Sequence, residues 1–177
     1  MKKFGVIVSL IVIYFVIYFL QVNFFSWFNI AGVQPNLFVL FVLFIGIFTN
    51  EKMGAVCGFI IGLYTDFLFS NSIGISAVLL TFIGHCGEKI VKRFSRDSKL
   101  TIILMGTISV AVYELLCVAY KSLFFSASIN FLSYIYILAI ELLFNMLLII
   151  IFYPLIHRFG LFVESVYSNN KMLTRYF

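Results

Sequence analysis

Charged side chains are scarce in this sequence: Asp, Glu, Lys and Arg together make up 11% of its 177 residues. A soluble domain carries roughly a quarter charged residues, because water must solvate its surface. The shortage excludes a water-soluble globular protein of this size and makes lipid the main solvent. Proline is limited to two residues, which leaves room for long uninterrupted helices. The three cysteines, Cys57, Cys86 and Cys117, are odd in number, lack C-x-x-C spacing and each fall within an apolar segment. They read as small packing residues, not as a disulfide or a metal site. His85 and His157 are far apart, and neither is spaced with Asp, Glu or Cys as metal ligands are. No G-x-S-x-G nucleophile motif, no Walker A and no G-x-G-x-x-G occurs, so nothing cradles a nucleotide. The reading is a non-enzyme with no cofactor and no metal.

What is present is apolar bulk. Hydrophobic residues reach 63%, with 23 Phe and 10 Tyr, and the mean hydropathy is +1.14. The chain reads as one integral-membrane domain, 1–177, all α-helical, with six transmembrane helices. A membrane helix needs about 20 mostly apolar residues, and runs of that kind fall at about 4–20, 34–49, 53–69, 73–87, 100–125 and 131–154. Lys2 and Lys3 before the first run resemble a signal peptide. The run continues to Leu20, however, and no small-x-small cleavage site follows, so it reads as a retained helix.

The basic residues give the orientation. With six spans, eleven of the twelve Lys and Arg lie on one side, five of them in the segment 88–99, and only Lys121 falls towards the other. Basic residues stay in the cytoplasm, so both termini are placed inside and the protein in a bacterial cytoplasmic membrane. The net charge of +5 then reflects topology and anionic headgroups, and nucleic acid is not an expected partner. The outer connection 21–33 carries no charge and holds Phe24, Phe25, Trp27 and Phe28. It is expected to lie along the outer leaflet, where a partner can dock.

Several residues depart from a plain lipid-facing helix. Gly54, Gly58 and Gly62 recur every four residues on the third span, sharing one face on which another backbone can approach closely. Two uses remain open, packing within the chain or a face for another subunit. Asp66 continues the same line one turn later. An ionised carboxylate in hydrocarbon costs at least about 2.5–3.5 kcal/mol, so Asp66 is expected near an interface, hydrogen-bonded or protonated. One role that fits is to accept bonds from the start of the fourth helix. Glu114 and Glu141 fall near the middle of the fifth and sixth spans, with Asn145 one turn from Glu141. Intramembrane acids mark a functional site by default; the balance here favours a polar interhelical contact over a transport site.

The middle of the chain carries a pattern: Pro35-Asn36-Leu37 opening the second helix, then Gly54, Gly58-Phe59, Gly62-Leu63 and Asp66, then Ile73-Gly74-Ile75 and Gly84. This resembles the MreD family, the small membrane subunit of the bacterial rod-shape (cell-elongation) machinery, over roughly residues 34–95. The resemblance implies a fold like the substrate-binding subunits of energy-coupling-factor transporters. It also implies a non-enzymatic scaffold that binds a bitopic MreC-like partner and, through it, an MreB-like filament and the peptidoglycan synthases. The family motif maps onto Pro35, Asn36, Gly54, Gly58, Gly62, Asp66 and Gly74; Glu114 and Glu141 stand outside it. Self-association is left open. The competing expectation is a transporter subunit with a small-molecule pocket lined by Glu114, Glu141 and Asn145.

Overall fold

The computed structural model describes residues 2–69, 73–91, 99–125 and 130–167. The turn at 70–72, the basic residues Lys92, Arg93 and Arg96, the connection 126–129 and the tail with Lys171 and Arg175 lie outside the described residues. Helix α1 covers Lys2–Phe19 and continues through a π-helical turn, Leu20–Phe24, into a last turn, Phe25–Trp27. Then follow α2 (Leu37–Phe48), α3 (Glu51–Phe69), α4 (Ile75–Val91), α5 (Lys99–Phe125) and α6 (Phe131–Tyr167). Among the described residues there is no β-strand, only an isolated bridge between Ile30 and Val33.

Among the described residues four helical stretches are long and apolar enough to cross a membrane: Phe4–Trp27, Glu51–Phe69, Lys99–Phe124 and Leu132–Val163. The expected second span contracts to α2, a helix of 12 residues, about 18 Å long and too short for a hydrocarbon core of about 30 Å. Pro35 and Asn36 are the cause: the chain is non-helical through Asn36, whose side chain caps the helix by accepting from Val39 N at 3.3 Å. The expected fourth span becomes α4, 17 residues that start later and end later than 73–87.

At the other extreme, α6 runs 37 residues straight through Pro154, beyond the expected end at that proline. Neighbouring groups can satisfy the carbonyl that a membrane-helix proline leaves free. The connection 21–33 is also more helical than its aromatic composition suggested, since α1 extends to Trp27. It then reverses at Ala31 (φ 53°) and Gly32 (φ 79°), with reciprocal Ile30–Val33 backbone bonds of 3.0 and 2.9 Å. Two successive positive φ values are those of a type I′ turn.

The core is organised around α2. Its sequence is apolar on every side, and ten of its twelve residues are buried, as expected for a helix surrounded by others. It touches all five other helices. The tightest pairing is between α3 and α4, where side chains have been removed to bring the backbones together. A Cβ built on Gly58 would meet the backbone of Leu80, and one on Gly62 would meet Ala77 and Ser76. Gly46 of α2, Gly54 of α3 and Gly84 of α4 converge at one point, each occupying space that a neighbour's Cβ would need. Helices α1, α5 and α6 lie outside this unit and expose large apolar side chains such as Phe4 (72%), Leu123 (80%) and Leu132 (81%). Such surfaces are stable when acyl chains cover them.

Candidate functional site

With no water to satisfy a helix terminus in hydrocarbon, the first N–H groups of each helix need internal partners. In this chain three successive helix starts are satisfied by side chains from other elements. The start of α3 is met from α4: Glu51 N donates to Glu88 Oε2 at 2.7 Å, and Glu88 is buried. Glu51 itself faces Lys89 Nζ at 3.8 Å and His85 Nε2 at 4.0 Å, forming a small charged cluster at that end.

The start of α4 is met by Asp66 of α3. Its carboxylate is wholly buried and accepts from Gly74 N at 2.8 Å, Ser76 N at 3.2 Å and Ala77 N at 3.2 Å. Gly74 has φ +111°, a conformation that L side chains rarely adopt, and this directs its N–H back at the acid. Ser76 Oγ then accepts from Tyr113 Oη at 2.9 Å, tying the α3–α4 turn to α5.

The start of α2 is the richest junction. Asn36 N donates to Asn145 Oδ1 of α6 at 3.1 Å, and Asn36 Nδ2 donates to Glu114 Oε1 of α5 at 3.3 Å. Gln21 of α1 bridges the same backbone, donating to Pro35 O at 2.8 Å and accepting from Leu37 N at 3.0 Å. Asn145 is fully buried and donates its amide to Glu141 O at 2.9 Å. The π-helical turn that starts at Leu20 contains Gln21, the side chain that α1 contributes to this contact. Four helices thus meet on one irregular backbone segment, whose N–H and C=O groups beyond the Asn36 cap find their partners in Gln21 and Asn145.

The structure therefore brings together residues that the sequence pattern kept apart. Asn36, a motif residue, is hydrogen-bonded to both Glu114 and Asn145, which stand outside the motif. Through Asp66, Ser76 and Tyr113 the polar connection runs to the residue beside Glu114. Glu114 and Glu141 are electrostatic neighbours. Among the described residues the buried hydroxyls of Tyr14 and Tyr134 have no hydrogen-bond partner. Lys121 lies on the exposed side of α5. Three residues that complete these junctions, Gln21, Glu88 and Ser76, escaped the sequence reading. Only Glu88 carried a visible signal, as an acid inside an apolar-to-basic transition.

The geometry bears on the two uses of the glycine face. Gly54, Gly58 and Gly62 are covered by the backbone of α4, so a partner helix does not have that face available. An apolar cavity of about 350 Å³ lies between α1, α2 and α6, lined by residues such as Leu10, Phe41, Phe48, Phe152 and Phe159. Glu114, Glu141 and Asn145 are not in its wall. Among the described residues no group of three His, Cys, Asp or Glu side chains is placed to hold a metal ion.

The Asn36 junction makes a stability prediction. Asn145→Leu removes an acceptor for Asn36 N and is expected to destabilise the protein by about 1–2 kcal/mol, the upper part of the range for hydrogen bonds between membrane helices. Unfolding in mixed micelles measures this directly. A neutral result would show that water or lipid reaches the α2 terminus.

A family model described as rod shape-determining protein MreD matches residues 1–163 of the chain. No curated protein and no solved structure matches it.

Proposed function

The chain belongs to the MreD family of rod shape-determining membrane proteins, and from that premise we propose that it is a non-enzymatic scaffold subunit of the cell-elongation complex. Its partner in this reading is a bitopic MreC-like protein, and through it an MreB-like filament and the peptidoglycan synthases. We place it in the bacterial cytoplasmic membrane as a single six-helix domain, 1–177, with both termini inside. The short α2 is embedded among the other helices and α4 packs against it and α3, in an arrangement like that of energy-coupling-factor binding subunits.

The observation that carries the proposal is the contrast between a closed interior and a bare aromatic margin. Every glycine of the α3 face and every motif polar group is engaged within the chain. Trp27 (89% exposed), Phe28 (64%) and Ile30 (51%) project from the end of α1 with little covering them. A rigid body with an aromatic margin at the membrane interface suits docking of a single-span partner. The site residues are accordingly framework residues: Gly54, Gly58, Gly62, Asp66 and Gly74 lock α3 to α4, and Pro35, Asn36, Glu114, Glu141 and Asn145 organise the α2 junction.

The test is affinity purification of the tagged protein from its native membrane in mild detergent, followed by mass spectrometry. Recovery of a bitopic coiled-coil protein with wall-synthesis enzymes supports the scaffold. Recovery of an ATPase pair with a coupling subunit would instead identify a transporter component. In the scaffold reading, Trp27→Ser combined with Phe28→Ser is expected to lower partner recovery at least about tenfold, the loss of roughly 1.4 kcal/mol or more. The melting temperature should stay unchanged, because neither side chain is packed in the core.

A further inference from the structure

At the end of the bundle where α5 begins, a second cavity of about 430 Å³ opens between α5 and α6, lined by Lys99, Ile103, Ile150, Tyr153, Pro154, His157 and Arg158. Its lining is ordered along the helix axes. Lys99, His157 and Arg158 form the mouth; Tyr153 and Pro154 lie one turn deeper on α6; Ile103 and Ile150 close the inner wall. At 1.5 Å per residue the step from His157 to Ile150 is about 10 Å. Cations, then an aromatic and a proline, then aliphatic carbon follow the polarity of a phospholipid read inward from its phosphate.

At the same end of α3 and α4, Lys89 and His85 face the Glu51 carboxylate. Among the described residues neither Lys99 nor Arg158 forms an ion pair. The Lys99 ammonium lies 5.5 Å from the Tyr153 ring centroid, a cation–π contact that holds the charge over the cleft. The positive end of the α5 dipole adds to the field there. A volume of this size is that of a small-ligand site, and basic pockets between membrane helices on the cytoplasmic side take phosphate headgroups.

We propose that the α5–α6 cleft, with Lys99 and Arg158 at its mouth and Ile103 and Ile150 at its base, is a binding site for the phosphate headgroup of an anionic membrane phospholipid. The site is independent of the partner-docking margin on α1, and its test does not involve the partner.

The experiment uses the full chain in nanodiscs of phosphatidylcholine containing a minor fraction of phosphatidylglycerol, with native mass spectrometry of the lipid that stays bound on release. The wild-type protein is expected to retain phosphatidylglycerol several-fold over its share of the bilayer. Lys99→Gln with Arg158→Gln should abolish that enrichment, and each single substitution should reduce it. Lys52→Gln with Lys121→Gln removes the same charge away from the cleft and should leave it intact. Melting curves in pure phosphatidylcholine check that each variant folds, and the single variants serve if the double one does not. Absence of enrichment in the wild type, its persistence in the cleft variants, or its equal loss in the Lys52/Lys121 variant would overturn the site. Displacement of the lipid by millimolar inorganic phosphate would make soluble phosphate the ligand and overturn the lipid assignment.

Discussion

Gly54→Ala is expected to destabilise the protein by about 3 kcal/mol, and Gly54→Leu to prevent recovery of folded protein. Overpacking typically costs about 1–3 kcal/mol, and more where the surroundings have no freedom to move. Here the added carbon would run into the carbonyl of Gly84, with Gly46 Cα at 2.7 Å and Gly84 C at 2.9 Å. All three are backbone atoms of helices buried against one another, so relief requires parting α3 from both α2 and α4. That separation would also pull Glu88 away from Glu51 N. Gly5 provides the control: a Cβ there meets nothing within 4 Å, and Gly5→Ala should be neutral or slightly stabilising through helix propensity. Thermal unfolding followed by size-exclusion chromatography compares them. Equal stability of the two alanine variants would show that the three-glycine crossing is not what holds the bundle.

Asp66→Ala should cost about 3 kcal/mol or more, since it leaves two buried N–H donors and one part-buried one without an acceptor, and each orphaned buried group costs about 1–3 kcal/mol. The carboxylate is fully buried and meets Gly74 N, Ser76 N and Ala77 N, and no water is at hand within the bilayer to replace it. Asp66→Asn keeps one oxygen acceptor but turns an NH₂ group towards the remaining donors, so its effect should be intermediate. The Tyr113–Ser76 bond should weaken in both variants, because Ser76 is positioned by Asp66. Denaturant unfolding of the three proteins in the same detergent ranks them. If alanine and asparagine proved equally mild, the terminus of α4 would have another source of acceptors, and the position of Asp66 would need a different explanation.

Both predictions concern residues whose importance was visible as a pattern before any contact was known. Glycine at a spacing of four, ending in an acid at the close of the same helix, announces a smooth face with a polar terminus. The pattern does not say what lies on that face. Gly58 meets Leu80 and Gly62 meets Ala77, residues with no mark of their own in the sequence, because the receiving surface of a close helix crossing is backbone, and every residue has one. The Asn36 junction illustrates the same limit for polar groups. Glu114 and Asn145 were conspicuous as polar residues in apolar runs, and Asn36 as part of a helix-opening motif. Their convergence joins positions 78 and 109 residues apart in sequence. Gln21 was read as the start of a loop because helical periodicity gives no warning of a π-helical turn.

The sequence by itself determined the solvent and the class of this protein. A chain with 11% charged residues and 63% hydrophobic ones has little surface for water; in lipid only helices and closed barrels satisfy their own backbone, and its long continuous apolar runs select the helix. Its motif spacing was sufficient for the family. The tertiary structure decided which faces are used. It made α2 a short buried axis, closed the glycine face with α4, and satisfied the starts of three helices with side chains from other elements, joining motif and non-motif residues at two of them. The physical reason is that composition and periodicity are properties of a single segment. Which segments meet depends on the depth of each helix terminus and the closeness of each crossing, set jointly by residues distant in the chain.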